Sequence, residues 1–148
     1  MENRFILRPA AEKDFPAIQR LIRQVQINPT ALDWRRFVVA VDGLGEVSGC
    51  GQLKPHGKEI IELASIAVVP SDRSKGVARL IIEHLIAKAP RSLYLTCRSG
   101  LQPFYEKWGF RVIGLKEMPP YYRRLSRLGS VMFALAAYSD SLLVMKLM

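Results

Sequence analysis

The stretch SIAVVPSDRSKGVARLIIEHLIAKA, residues 65–89, constrains the fold more than any other part of the chain. An apolar run ends at Pro70, a short polar turn follows, and a helical pattern starts at once. Continuous apolar runs bounded by turn residues read as strands, and apolar residues three and four apart read as a helix face. From Gly76 onward Val77, Leu80, Ile81, Leu85 and Ala89 fall near one face, with Glu83, Ala87 and Lys88 near the other. The turn carries Arg73, Lys75, Gly76 and Arg79. The first N–H groups of a helix have no partner inside it, and the helix dipole favours an anion there. Gly76 removes the side chain that would keep a ligand at a distance. That is the chemistry of a pyrophosphate cradle. Neither a G-x-x-x-x-G-K-[ST] loop nor a G-x-G-x-x-G fingerprint occurs in the chain. The competing reading is an ordinary strand-to-helix turn with its basic residues in solvent.

The rest of the chain alternates in the same way. RFILRP (4–9) reads as a short strand. A helix follows, with Phe15, Ile18, Leu21, Ile22 and Val25 on one face, Asp14 as its cap and Pro16 in its first turn. NPTALDWRR (28–36) predicts a second short helix, with Thr30 and Asp33 at capping-box spacing. FVVAV (37–41) reads as a buried strand, DGLG as a turn, EVSGCGQL (46–53) as a hairpin partner, KPHGK as a further turn and EIIELASIAVV (59–69) as a long strand. RSLYLTC (91–97) predicts a strand, LQPFYEKWG a short helix stopped by Gly109, FRVIGL a strand, the segment after Pro119 and Pro120 a helix, and SLLVMKLM a last strand. Strands alternating with helices, some joined by hairpins, predict an α/β (α+β) sandwich around one sheet. At 148 residues the chain fits a single domain spanning 1–148, with 119–137 an extra helical segment before the last strand.

The formal charge of +9 allows a nucleic acid, a membrane surface or an anionic ligand as partner. No helix-turn-helix, zinc-finger or RNA-recognition pattern accompanies it, so no nucleic acid is expected. No apolar stretch reaches the roughly 18 residues that span a bilayer, and the N-terminus lacks an apolar signal-peptide core. Cys50 and Cys97 lie in apolar runs without metal-ligand spacing. They read as reduced thiols of a cytoplasmic protein, with no metal expected.

Two motifs carry a family resemblance. In IAVVPSDRSKGVA, Ile66, Val68, Pro70, Arg73, Gly76 and Ala78 stand in the register of an L-x-V-x-P strand followed by Arg/Gln-x-x-Gly-x-Gly/Ala. About 30 residues on, PFYEKWGF (103–110) matches a helix ending in F-Y-E-K-x-G-F. With these motifs the chain resembles the GNAT superfamily of acetyl-CoA-dependent N-acetyltransferases over roughly residues 4–115. Locally, GCGQL followed by ELASIAVVP looks like the acetyltransferase domain of N-acetylglutamate synthases.

The resemblance implies a central mixed, mostly antiparallel sheet flanked by helices, and acetyl-CoA as cosubstrate. It implies that the backbone of Ile66, Ala67 and Val68 pairs with the pantetheine arm. It also implies that the amides of Arg73, Ser74, Lys75, Gly76, Val77 and Ala78 wrap the pyrophosphate. Where the family often has Asn, seven residues before the tyrosine of the second motif, this chain has Arg98, which could instead reach a phosphate or an acidic substrate.

An amine attacks a thioester only as the free base. Deprotonating a lysine-type amine at pH 7 costs about 4 to 5 kcal/mol, against about 1 kcal/mol for an α-amino group. A general base and an acid beside the leaving sulfur therefore help. Tyr105 matches the tyrosine of the second motif and is the candidate acid. Glu62 is the candidate base: it lies eleven residues before Arg73, the separation that the histone-acetyltransferase branch has between its Glu and its Gln. A carboxylate inside an apolar run also asks for a reason. The amide of Val68 is the family's usual oxyanion donor. His56, in a turn, and His84, on a helix, read as surface residues, and Cys97 as a small buried hydrophobe.

The expected activity is acetyl transfer to a primary amine of a small molecule or amino acid. A protein lysine or N-terminal acetyltransferase and a non-catalytic acetyl-CoA sensor are the alternatives. Lys54, Arg98 and Arg123 could receive an acceptor carboxylate, and Tyr121 and Tyr122 could line the acceptor site. The basic tail could close the core, cover the substrate groove, rest on a membrane surface or pack in a homodimer.

Overall fold

The structure, a computed structural model, describes residues 4–25, 32–89, 92–135 and 142–148, with the backbone alone for 128–135. Seven strands form one sheet: β1 (Ile6–Pro9), β2 (Phe37–Val41), β3 (Val47–His56), β4 (Ile60–Val68), β5 (Leu93–Arg98), β6 (Phe110–Val112) and β7 (Leu142–Leu147). Their order is β1-β2-β3-β4-β5-β7-β6. The β1/β2, β2/β3, β5/β7 and β6/β7 pairs are antiparallel, and β4/β5 is parallel. Four helices accompany the strands: α1 (Phe15–Gln24), α2 (Val77–Lys88), α3 (Gln102–Glu106) and α4 (Pro120–Leu135). The sheet is thus mixed and mostly antiparallel, as the family resemblance implied. By compactness the chain divides into two units, Met1–Lys54 with Leu63–Ala89, and Pro55–Glu62 with Pro90–Met148.

In the first unit β2 is buried at all five positions. Phe37, Val39 and Val41 share a core with Ile18, Leu21 and Ile22 of α1, Cys50 of β3 and Ala67 of β4. Each of the three α1 side chains contributes about 1.5–3 kcal/mol by leaving water. Strand alternation turns Gly49 and Gly51 away from Cys50, toward α2. A Cβ at Gly49 would lie 2.7 Å from Val77 Cγ1 and 3.1 Å from the Ala67 carbonyl oxygen. One at Gly51 would lie 2.6 Å from Ile66 Cδ1 and 2.7 Å from Ile81 Cγ2. The two glycines let α2 lie directly on the sheet.

The α2 face differs from the expected one. Val77, Ile81, Ile82 and Leu85 are buried, whereas Leu80 is 39% exposed. The buried stripe is centred on Ile81 and Leu85, which places Leu80 about a third of a turn away from it at 100° per residue. Asp14 is a second correction. It makes no side-chain bond to the start of α1. Its carboxylate accepts instead from the Ala11 N–H at 2.8 Å and from both terminal nitrogens of Arg8 at 2.7 and 3.0 Å. The second short helix is reduced to a 3-10 turn, Trp34–Arg36, with Asp33 accepting from the Arg35 N–H; Thr30 lies outside the described residues.

In the second unit Tyr94, Ile113, Met118, Tyr122 and Val144 form a core, against which Ile60, Tyr121 and Leu125 pack. Parallel pairing sets Ile61 beside Leu93 and Glu62 beside Tyr94. The Arg123 Nε donates to the carbonyls of Leu115 at 3.2 Å and Met118 at 3.0 Å, tying α4 to the chain ahead of it. That donor is therefore spent on backbone rather than left for an acceptor carboxylate.

Two outcomes follow from the first unit. Gly49→Ala and Gly51→Ala each lose about 1–3 kcal/mol in urea unfolding through overpacking. The Arg8 hydrogen bonds, against the opposing effect of burial, hold the Asp14 carboxyl below the usual carboxylate range, with the Ala11 N–H helping. Its folded pKa is depressed, so its stabilisation is complete above the unfolded value of about 3.9 and is lost as pH falls through the folded value. Asp14→Asn is expected to cost about 1.5–3 kcal/mol at neutral pH. That deficit should shrink below about pH 4 in acid-unfolding titrations.

Candidate active site

The turn after β4 keeps its helix end open. Gly76, at φ +83°, is the N-cap of α2, and no side chain caps the helix. A Cβ at Gly76 would meet nothing within 4 Å, so its backbone conformation, and not crowding, calls for glycine. Ser74 also has a positive φ, +66°. Arg73, Ser74, Lys75 and Gly76 are exposed, Val77 is buried and Ala78 is half-buried. The Lys75 Nζ lies 3.1 Å from Asp72 and the Arg79 Nε 2.8 Å from Glu83. These exposed basic side chains already have acidic neighbours, which leaves the backbone amides as the distinctive donors of the turn.

Ile66, Ala67 and Val68 close β4, Ala67 buried and its neighbours half-buried. Just ahead of them Ser65 has φ +60° inside the strand. The Gln52 side-chain amide donates to its hydroxyl at 2.9 Å, and the Cys50 thiol donates to its carbonyl at 3.6 Å. Among the described residues Ser65 and Ser74 are the two non-glycine positions with positive φ. They bracket the segment 66–73. Such backbone costs about 1–3 kcal/mol per position and concentrates at ligand-contacting segments.

Glu62 is buried, at 8% exposure. Its Oε1 pairs with His56 Nε2 at 2.5 Å, and its Oε2 accepts from the Thr96 hydroxyl at a long 3.5 Å. The His56 ring stacks on Tyr121, centroids 4.0 Å apart and planes 20° from parallel, and stands edge-on to Tyr122 at 6.2 Å. Tyr122 in turn stacks on Tyr94 at 5.3 Å. Burial, with the Glu62 charge, pushes both the Tyr121 and Tyr122 phenols up. The Tyr122 hydroxyl is buried without a hydrogen-bond partner among the described residues.

The expectation that His56 sits in a solvated turn is overturned. β3 runs through His56, the turn occupies 57–59, and the His56 side chain is 11% exposed. The turn folds β4 back along β3, and alternation along β4 places Ile60 and Glu62 on one face, where Glu62 meets His56. The six-residue spacing across Gly57 is a signal that could have revealed this pair.

Tyr105, on α3, lies edge-on to Phe104 at 5.0 Å and to Phe110 at 6.2 Å. Burial first, and the neighbouring Cys97 second, raise its pKa, so the phenol keeps its proton at neutral pH. No hydrogen bond or ring contact joins Tyr105 to Glu62 among the described residues. Arg98 ends β5, half-buried, in register with Leu142. Burial pushes the Cys50 thiol up to about 12 and the Cys97 thiol up to about 11. Both thiols are free of disulfides. Among the described residues no three His, Cys, Asp or Glu side chains converge as metal ligands. No helix among them is long and apolar enough to cross a membrane.

A mixed sheet whose strand β4 leads to a helix N-terminus without a side-chain cap is suited to receive an anion on backbone amides. The acetyltransferase (GNAT) domain model matches residues 33–112, just over half of the chain, and the chain belongs to that family. No curated protein sequence matches it. Among solved structures it is similar to N-acetylglutamate synthase from Neisseria gonorrhoeae complexed with coenzyme A and L-arginine. That match has a TM-score of 0.73 at 22% identity over 95% of this chain and 32% of the synthase. The same synthase complexed with coenzyme A and N-acetyl-glutamate matches at 0.74 and 21%, over all of this chain and 36% of that one. The chain therefore spans about a third of the synthase. Rv2747 from Mycobacterium tuberculosis, in complex with CoA and NLQ, matches at 0.72 and 21% identity, over 94% of this chain and 97% of that one. At these identities the likeness is one of fold.

Tyr122→Phe deletes an unpartnered buried hydroxyl while keeping the ring. Thermal unfolding should show no loss of stability and a gain of up to about 1–3 kcal/mol.

Proposed function

We propose that this chain is an N-acetyltransferase moving an acetyl group from acetyl-CoA to the primary amine of an amino acid or other small molecule. The observation that carries the reading is the α2 N-terminus at Gly76, φ +83°, which no side chain caps. The Arg73 N–H, expected to join them, donates instead to the Pro70 carbonyl at 3.3 Å, so the amides of Ser74 to Ala78 would hold the pyrophosphate, and the backbone of Ile66 to Val68 the pantetheine. A segment bracketed by two strained serines is suited to that task. The amino-acid acceptor is supported by the ligands of the N-acetylglutamate synthase structures. Two free, buried thiols suit a cytoplasmic setting.

Acetyl-CoA supplies the activated acetyl group; the chain supplies proton management and orientation. Glu62 accepts a proton from the acceptor ammonium, leaving the free amine. The Val68 N–H donates to the acetyl oxygen as negative charge develops there. As the carbon–nitrogen bond forms and the carbon–sulfur bond breaks, Tyr105 gives its phenolic proton to the sulfur. The second proton lost by nitrogen restores the phenol through solvent. Burial raises the Tyr105 pKa, so the phenol carries its proton at neutral pH and is present as a hydrogen-bond donor to the departing sulfur.

Thermal unfolding with and without acetyl-CoA, with ATP as phosphate control, tests the cosubstrate. At about 100 times its dissociation constant a ligand stabilises by about 2.7 kcal/mol, which for a domain of this size is roughly 5 to 10 °C. Gly76→Val should abolish the acetyl-CoA shift, because a β-branched residue resists a left-handed φ. A wild-type shift without turnover on any amine or peptide would make the chain a sensor instead. With an acceptor in hand, Tyr105→Phe should lower kcat about 10²-fold or more and leave acetyl-CoA affinity intact. Unchanged kcat removes Tyr105 from the chemistry.

A further inference from the structure

A buried carboxylate in a ring of aromatic side chains must find a partner, because an unpaired buried charge is expensive. Glu62 has Tyr94 beside it on the adjacent strand, and its charge acts on the phenols of Tyr121 and Tyr122. Its close hydrogen bond among the described residues is to His56. The identity of that partner matters. An arginine would hold the carboxylate ionised and unwilling to accept a proton. An imidazole Nε2–H donates a single hydrogen bond to one carboxylate oxygen and leaves the other free.

The two oxygens are used unequally. Oε1 is committed to His56, whereas the Thr96 contact of Oε2 is long and weak. The imidazole is itself held by the Tyr121 face and the Tyr122 edge, both supplied by α4. The helix that follows the family's motifs thus fixes the ring that fixes the carboxylate.

We infer that His56 is a positioning residue for Glu62: it donates its Nε2–H to Oε1 and holds the carboxylate with Oε2 turned to receive the acceptor's proton. The inference rests on the proposed role of Glu62 as base. In the step, an N–H bond of the acceptor ammonium breaks and an O–H bond forms at Oε2, while the Nε2–H···Oε1 hydrogen bond persists. His56 touches neither substrate, and Tyr121 acts at one further remove by clamping the imidazole.

The test uses the full chain with acetyl-CoA and a panel of L-glutamate, L-arginine and simple primary amines. His56→Phe keeps a ring to stack on Tyr121 but has no donor. His56→Gln restores an N–H near the position of Nε2. Glu62→Gln removes the base. The expected result is a fall in kcat of about 10²-fold or more for Glu62→Gln and of about 10- to 100-fold for His56→Phe. KM for acetyl-CoA should be unchanged in both, and His56→Gln should recover most of the rate. Wild-type kcat in His56→Phe, with Glu62→Gln impaired, overturns the role of His56 and leaves the base standing. Wild-type kcat in Glu62→Gln overturns the base, and the His56 role with it. Should His56→Phe fail to fold, His56→Gln decides: near-wild-type kcat supports the positioning role, and a loss equal to that of Glu62→Gln at an unchanged melting temperature overturns it.

Discussion

The close seating of α2 on β3 is the constraint on which the strand-to-helix turn depends. Gly49 and Gly51 leave no side chain between the strand and Val77, Ile81 and Leu85. A helix brought that near the sheet must begin almost as soon as β4 ends. The short connection then turns sharply, through the left-handed backbone of Ser74 and Gly76. No capping side chain occupies the first amides of α2, at the positive end of the helix dipole. Of the basic side chains around this turn, Lys75 and Arg79 are already engaged by Asp72 and Glu83.

The Glu62 surroundings follow a different logic. Around a carboxylate, aromatic rings lower the local dielectric and strengthen whatever hydrogen bond it makes. The close partner of Glu62 is a histidine, whose imidazole meets one of the two carboxylate oxygens. The orphaned Tyr122 hydroxyl in the same cluster is a cost that packing alone does not explain, and buried unpaired donors of this kind are uncommon in folded proteins. Tyr121 and Tyr122 belong to a helix that lies beyond the family match, which ends at residue 112.

Much of the architecture was legible because it rests on local patterns. Phe37 to Val41, apolar at every position, could only be a strand covered on both faces. Ile18, Leu21 and Ile22 at helical spacing could only be one face of α1. Where reading along the chain failed, a competing interaction had won. Asp14 was taken from its helix by Arg8 and Ala11. Leu80 was left outside the stripe because the sheet accepted Ile82 in its place. No local pattern marks Ser65 for a left-handed backbone. Its conformation is supported by Gln52, thirteen residues earlier on the neighbouring strand.

By itself the sequence determined the order of strands and helices, the glycine that the turn into α2 requires, the family, and the carboxylate and tyrosine worth singling out. Each of these is written in near-neighbour spacing, where one residue's chemistry or one period of an element is enough. Only the tertiary structure decided that His56 leaves the solvent to hold Glu62 and that Tyr121 covers it. Those side chains come from a hairpin and from a helix more than fifty residues away. Residues that distant in sequence are brought together by burial of apolar surface, and that burial depends on the whole fold rather than on any segment of it.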